Sequence, residues 1–148
     1  MPIPPLNADG LLPVGIHDAQ IDEICSPFGN FQESDRRTKL FARLSEFVQA
    51  ASASGLFEEL LIDGSFVTAK AVPNDIDIIA VLKPGHDFER DLPMSEYSLV
   101  SRTLLRRRFG FDVIVAERAS SVYRSFVEFF GRVRPAPDLK KGLLGLRL

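Results

Sequence analysis

The sequence predicts an α/β (α+β) domain in which helices pack on a mixed β-sheet. In several segments apolar residues recur at spacings of three and four, which is typical of amphipathic helices. These segments alternate with short runs rich in β-branched residues, which are typical of strands. The 148 residues, 45% of them hydrophobic and 26% charged, suit one globular domain. This composition excludes a disordered, collagen-like or coiled-coil chain.

Within a single domain spanning 1–148, residues 1–30 are predicted to be an N-terminal arm. Four prolines and two glycines occur in residues 1–15 without a periodic pattern, and a short helical turn is expected at 19–24. Neither a secretory signal nor a membrane span is expected, because no apolar run approaches the ~20 residues that cross a bilayer. The single cysteine, Cys25, cannot form an internal disulfide and favours a cytoplasmic location.

The middle of the chain predicts one long helix and two strands. An amphipathic helix over 35–54 is capped by Ser34 or Asp35 and ended by Gly55. The apolar run 59–63 leads into a turn and a short helix over 65–70. The segment 75–82 is the clearest strand, and its apolar residues on both faces predict a central position in the sheet.

The last third of the chain predicts two more helices around a strand. Ser95 is expected to cap a helix over 95–108, which Gly110 ends before a strand at 111–115. A third helix over 120–131 should bury an apolar stripe, made of Val122, Phe126, Phe129 and Phe130. Residues 132–148 are predicted as a C-terminal extension, either an edge strand or a docked segment.

Charge is distributed unevenly along the chain, although the net charge is only −2. Residues 1–98 carry 7 basic and 16 acidic side chains, and residues 99–148 carry 11 basic and 4 acidic ones. Such a bipolar surface suits a metal site beside a groove for a polyanion, and simple solvated charge is the alternative. The arginines at 106–108 similarly indicate either a wall of a nucleic-acid groove or a solvated helix end.

Three aspartates are candidate metal ligands. Asp75 and Asp77 are two apart on the predicted strand and should project from the same face. Asp112 lies in the next predicted strand, on the face opposite its apolar neighbours. Carboxylates placed together in a sheet repel one another unless a cation neutralises them. Oxygen ligands without histidine or cysteine favour Mg²⁺ or Mn²⁺.

A glycine-serine turn is the candidate phosphate site. Gly64 and Ser65 lie where the apolar run ends and a short helix begins, so the backbone can approach a phosphate closely and the hydroxyl can bind its oxygens. Lys70 is a further candidate for contact with a triphosphate. An ordinary turn and a surface lysine are the structural alternatives for these three residues.

The spacing of Gly64-Ser65, Asp75-Ile76-Asp77 and a later Asp112 resembles the DNA polymerase β-type nucleotidyltransferase superfamily. The sequence segments LPVGIH, LIDGSFVTAK and VPNDIDI resemble those of a small bacterial family of nucleotidyltransferase-like proteins. The resemblance implies a nucleotidyltransferase-like fold. It also implies that the turn binds nucleotide phosphates, that Asp75 and Asp77 hold two Mg²⁺, and that Asp112 completes the metal site and helps to activate the attacking hydroxyl.

The expected function is therefore transfer of a nucleoside monophosphate from a nucleoside triphosphate, with ATP favoured, to an acceptor hydroxyl on a protein or RNA. The alternative is a non-catalytic, antitoxin-like or regulatory module that acts through a partner protein. A metal-dependent phosphohydrolase is a third possibility that uses the same carboxylates. No membrane partner is expected for any of these functions.

Overall fold

A five-stranded mixed sheet forms the centre of the protein, whose structure, a computed structural model, describes residues 3–28, 35–70, 73, 75–132 and 140–148. The strands are β1 (Ile16–Asp18), β2 (Phe57–Asp63), β3 (Asp77–Leu82), β4 (Asp112–Glu117) and β5 (Leu143–Arg147), in the spatial order β1-β5-β2-β3-β4. The pairs β1–β5 and β3–β4 are parallel, and β2 is antiparallel to both β3 and β5. The predicted α/β class is confirmed.

Both ends of the chain enter this sheet. The segment 1–30, expected to be an arm, contributes β1 and the helix α1 (Ile21–Phe28). The segment 132–148, expected to be an edge strand or a docked extension, contributes β5, which lies inside the sheet between β1 and β2. The edge-strand prediction is therefore wrong. Residues 133–139 of this segment lie outside the described part of the chain.

One face of the sheet carries the larger core. It is covered by α1, by α2 (Arg36–Ser54) and by α4 (Arg102–Phe109), and Phe28, Phe47 and Phe109 are buried against the strands. The predicted long helix is confirmed as α2, and Gly55 ends it in the left-handed conformation with φ of 70°. Asp35 occupies the position before this helix and pairs with Lys39, one turn on. The other proposed cap, Ser34, lies outside the described residues.

The opposite face of the sheet is packed by α5 (Ser121–Phe130). Phe130 of this helix is buried against one side chain or more from each of four strands. These side chains include Leu61 of β2, Ile79 of β3, Ala116 of β4 and Leu143 of β5. The predicted buried stripe is wrong for two positions, since Val122 is 46% exposed and Phe129 is 45% exposed. A helix of ten residues, about 15 Å long, presents only one narrow face to the sheet.

The predicted helix over 95–108 is interrupted. It consists of a single turn, α3 (Met94–Tyr97), and of α4, whose first turn is capped by Ser101 rather than Ser95: the Ser101 hydroxyl accepts a hydrogen bond from the Leu104 N–H at 3.3 Å. A serine oxygen that satisfies a free N–H favours a new helix start at that point. The buried side chains of α4 are Leu105 and Phe109.

The predicted strand over 75–82 begins two residues later, because the register of β3 with β2 ends at the pair Asp77–Asp63. Asp75 therefore precedes the strand. The predicted helix over 65–70 is a single 3-10 turn, Ser65–Val67. Among the described residues, no helix is long and apolar enough to cross a membrane.

Candidate active site

Three aspartates lie side by side at one edge of the sheet. Asp63 ends β2, while Asp77 and Asp112 begin β3 and β4, and the register pairs Asp63 with Asp77 and Asp77 with Asp112. Neighbouring strands are about 4.8 Å apart, and residues paired across a sheet point to the same face. The three carboxylates thus form a row, called here the acidic row, on the face that α5 covers.

Basic side chains neutralise the two outer members of the acidic row. Lys141 Nζ lies 2.9 Å from Asp63 Oδ1, and both side chains are mostly buried. At the other end, Arg102 donates hydrogen bonds from Nε and Nη2 to the two oxygens of Asp112, at 2.6 and 2.7 Å. Such a bidentate pair fixes the carboxylate firmly. Among the described residues, no lysine or arginine pairs with the central member, Asp77.

The charge of Asp77 is poorly compensated as a result. Burial raises the pKa of Asp77 to about 6, and the negative charges of Asp75, Asp63 and Asp112 contribute to this increase, while Lys141 opposes it. Burial also raises the pKa of Asp63, against the effect of Lys141. A carboxyl group with a raised pKa among other carboxylates has the environment of a site for an added cation.

The Gly64-Ser65 turn is joined to Asp75 by hydrogen bonds. The Ser65 N–H and the Ser65 hydroxyl both donate to Asp75 Oδ1 at 2.8 Å, and the Phe66 N–H donates to the Asp75 carbonyl at 3.2 Å. The turn therefore lies against the segment that enters β3, and Asp75 stands beside the acidic row.

Glycine is required at position 64 for two reasons. Its φ of 96° is in the region that favours glycine, and a Cβ built at this position would lie 2.8 Å from the Asp75 carbonyl oxygen and 3.1 Å from the Asp77 nitrogen. Any side chain would force the Gly64-Ser65 turn away from β3.

We expect Gly64→Ala to lower the free energy of unfolding by about 2 kcal/mol or more, because strain and a backbone clash add together. Gly85→Ala is the matched control. Gly85 has a φ of 78° but no atom within 4 Å of its Cβ position, so only the strain of about 1 kcal/mol applies. Urea unfolding measures the loss of unfolding free energy in the two variants. Equal losses would show that the close approach of Gly64 to β3 has no energetic importance.

Arg37 of α2 holds the chain that follows this turn. It is fully buried, and its two Nη atoms donate to the carbonyl oxygens of Phe28, Phe66, Thr68 and Lys70 at 2.5–3.0 Å. Burial lowers the pKa of Arg37 to about 10, so the guanidinium is still protonated at neutral pH. One side chain thereby fixes the backbone of residues 66–70.

The acidic row, the Gly64-Ser65 turn and Asp75 all line one open cleft with a volume of about 950 Å³. Lys70 lines the same cleft, together with Lys141, Arg102 and Arg132, and the side of the cleft formed by α5 contains phenylalanines. The six residues predicted from the sequence as a site are thus brought together: Gly64, Ser65, Lys70, Asp75, Asp77 and Asp112.

Two carboxylates of the cleft, Asp75 and Asp112, already accept hydrogen bonds from neighbouring side chains. Among the described residues, no group of three or more His, Cys, Asp or Glu side chains is arranged so that it could hold a metal ion. Arg102 donates to both oxygens of Asp112, and the Ser65 hydroxyl donates to one oxygen of Asp75. A cation shared by Asp77 and Asp112 competes with Arg102 for the oxygens of Asp112.

Four residues that contribute to this region were not predicted from the sequence as parts of a site. Asp63 carries a signal, since it ends an apolar run directly before Gly64. Arg102 and Arg37 occur in helices among other arginines, which do not distinguish them. Lys141 carries no local signal, because it reaches the acidic row only through the insertion of β5 beside β2.

No curated protein and no solved structure matches the chain. A family model, described as "Family of unknown function (DUF6932)", matches residues 4–147. This match includes every strand, every helix and all the residues of the cleft described above. The chain belongs to this family of unknown function, DUF6932.

Proposed function

We propose that the protein is a metal-dependent nucleotidyltransferase that moves a nucleoside monophosphate from a nucleoside triphosphate, with ATP as the favoured donor, to an acceptor hydroxyl on a protein or RNA. The observation that carries the proposal is the acidic row. Its outer carboxylates are paired with Lys141 and Arg102, while the central Asp77 lies among negative charges beside a glycine-serine turn. The single cysteine is consistent with a cytoplasmic location.

The donor set suits Mg²⁺ or Mn²⁺. Asp75 and Asp77 supply hard oxygen ligands, and Mg²⁺ is commonly bound by one or two carboxylates together with substrate phosphates. In this proposal Asp75 and Asp77 hold the cation that accompanies the nucleotide, and Asp112 takes part after Arg102 has exchanged its partner. When bound, the metal neutralises phosphate charge and lowers the pKa of the acceptor hydroxyl.

The remaining residues of the cleft bind and position the substrates. The Gly64-Ser65 turn receives the β- and γ-phosphates, and the cations Lys70 and Lys141 balance their charge. The acceptor oxygen forms a bond to the α-phosphorus while the bond to the bridging β-oxygen breaks, so pyrophosphate leaves. Asp112 accepts the proton of the acceptor hydroxyl. Positioning and charge neutralisation are the main contributions to such a transfer.

The test uses ATP labelled either at the α- or at the γ-phosphate, incubated with the protein, Mg²⁺ and an extract of the host. A nucleotidyltransferase transfers the α-label to a macromolecule and leaves the γ-label in pyrophosphate. A phosphohydrolase releases γ-label as phosphate without labelling any macromolecule. Absence of α-label from every macromolecule, with pyrophosphate unformed, would contradict the proposal.

A non-catalytic module that acts through a partner protein is the second candidate. The bidentate Arg102–Asp112 pair and the Lys141–Asp63 pair favour it, because they neutralise two carboxylates without any metal. Failure of Mg²⁺ with ATP to raise the melting temperature would support this candidate over the enzyme.

The Arg102–Asp112 pair also yields a prediction about metal affinity. We expect Arg102→Gln to bind Mn²⁺ about fivefold more tightly than the wild type in the absence of nucleotide. The metal no longer competes with the close Arg102 guanidinium, and of the described basic side chains only Arg106, at 3.6 Å, remains beside Asp112. Electron paramagnetic resonance titration of free Mn²⁺ measures this. Arg107→Gln, an exposed arginine on the same helix, is the control and should leave the affinity unchanged. Weaker binding in Arg102→Gln would show that Arg102 supports the metal site.

A further inference from the structure

The C-terminal half of α5 forms an aromatic wall beside the acidic row. Phe126 and Phe129 line the same cleft as the carboxylates, and both rings rest on the buried Phe130, with centroids 5.8 Å from it in each case. Phe126 is partly exposed, and Phe129 is 45% exposed. These two rings, Phe126 and Phe129, are called here the aromatic wall.

The geometry of the sheet explains why the wall and the carboxylates meet. Asp112 begins β4, the chain leaves the far end of this strand at Glu117, and α5 packs back across the same face. The ten residues of α5 rise about 15 Å, close to the ~20 Å length of β4. The end of α5 therefore lies near the edge of the sheet that carries the acidic row.

The composition of the cleft indicates a ligand with two chemically different parts. Carboxylates, lysines and the Gly64-Ser65 turn suit a triphosphate with its metal. A triphosphate has no apolar surface to place against phenylalanine rings. Aromatic side chains bind planar bases by stacking, in a manner that tolerates any base. A cleft of about 950 Å³ is in the size range of pockets that enclose a whole small molecule.

We infer that the aromatic wall binds the base of the donor nucleotide, whose triphosphate is held at the acidic row and the Gly64-Ser65 turn. This inference rests on the proposed function for the position of the triphosphate. It adds the place of the base. Stacking on Phe126 and Phe129 contacts the ring and no hydrogen-bonding edge, so these two side chains do not themselves distinguish ATP from other nucleoside triphosphates.

The absence of tryptophan from the sequence allows a direct test. In Phe126→Trp the only indole lies in the wall, and in the control Phe88→Trp it lies on an exposed loop outside the cleft. We expect Mg²⁺-ATP to quench the fluorescence of Phe126→Trp by about half and to leave Phe88→Trp unchanged. Mg²⁺-tripolyphosphate, which has no base, should bind without quenching either. Binding of Mg²⁺-ATP that leaves Phe126→Trp unchanged would overturn the inference.

Affinities measured by calorimetry provide the second arm. We expect the double variant Phe126→Leu, Phe129→Leu to bind Mg²⁺-ATP about tenfold more weakly and Mg²⁺-tripolyphosphate as the wild type does. An equal loss for both ligands would mean that the rings only support the fold, and the inference would be wrong. Asp77→Asn should weaken both ligands equally. If Asp77→Asn binds Mg²⁺-ATP normally while the double variant does not, the base site stands and the proposed metal site at Asp77 fails.

Discussion

Asp77→Asn is expected to abolish nucleotidyl transfer while the metal-free protein becomes more stable. The amide preserves the shape of the side chain and removes the central negative charge of the acidic row. Transfer should fall by at least about 100-fold, because a ligand that neutralises the charge developing on the phosphoryl group is lost. Functional residues often reduce stability in this way, and their replacement then stabilises the fold.

The gain in stability should depend on pH. The pKa of Asp77 is about 6 in the folded protein and 3.8 in an unconstrained aspartate, so folding favours the protonated form. The corresponding stabilisation is fully present below pH 4 and is lost as the pH rises through 6. The shift sets an upper limit of about 3 kcal/mol, and solvent screening reduces the expected value to about 1–2 kcal/mol at pH 7.5.

Urea unfolding of wild type and Asp77→Asn from pH 4 to 8 without divalent cations measures this difference. The two proteins should be about equally stable at pH 4, and the variant should be the more stable one above pH 6. Asp91→Asn, at an exposed aspartate outside the cleft, is the control and should follow the wild type in stability and activity. A lower stability of Asp77→Asn at pH 7.5 would identify Asp77 as a structural residue.

Arg37→Met is expected to cause the largest loss of stability, at least about 3 kcal/mol. The substitution keeps an apolar stem of similar length but removes the donors to four carbonyl oxygens. The hydrogen bonds to Phe28 and Phe66 are buried, and those to Thr68 and Lys70 are partly buried. The segment 66–70 would lose its attachment to α2, so phosphate binding at the Gly64-Ser65 turn should weaken as well.

Chemical unfolding and tripolyphosphate binding test this prediction together. Arg43→Met is a matched control, because Arg43 is an exposed arginine on the same helix, and its replacement should change stability by less than about 0.5 kcal/mol. Similar stabilities of the two variants would mean that water or a rearranged backbone replaces the donors of Arg37 at little cost.

The sequence predicted those parts of the fold that depend on local patterns. The long helix α2 follows from its apolar spacing and Gly55. The alternation of polar and apolar residues predicted the faces of Asp77 and Asp112, whereas their pairing depends on β3 and β4 being neighbours in the sheet. Hydrogen bonds specified by a single side chain were harder to foresee. Ser101 restarts a helix that periodicity alone extends without a break.

The features that the sequence did not predict depend on contacts between segments that are distant along the chain. The inner position of β5 depends on its pairing with β1 and β2, and no pattern within residues 143–147 distinguishes an inner strand from an edge strand. The exposure of Phe129 likewise depends on how little of the sheet α5 covers. For the same reason Lys141 could not be assigned to the cleft from sequence, whereas the aspartates could.

The position of β5 also governs how the protein folds. Strands β2, β3 and β4, with the acidic row, come from one continuous stretch of chain. The late strand β5 pairs directly with β2, and it joins to the sheet β1 from nearly the opposite end of the sequence. Closing so long a loop is slow and entropically costly. Lys141 therefore meets Asp63 only in the step that closes the sheet. Until β5 is in place, Asp63 lacks its lysine, so the pairing of β5 with β2 also brings in the charge that neutralises this end of the acidic row.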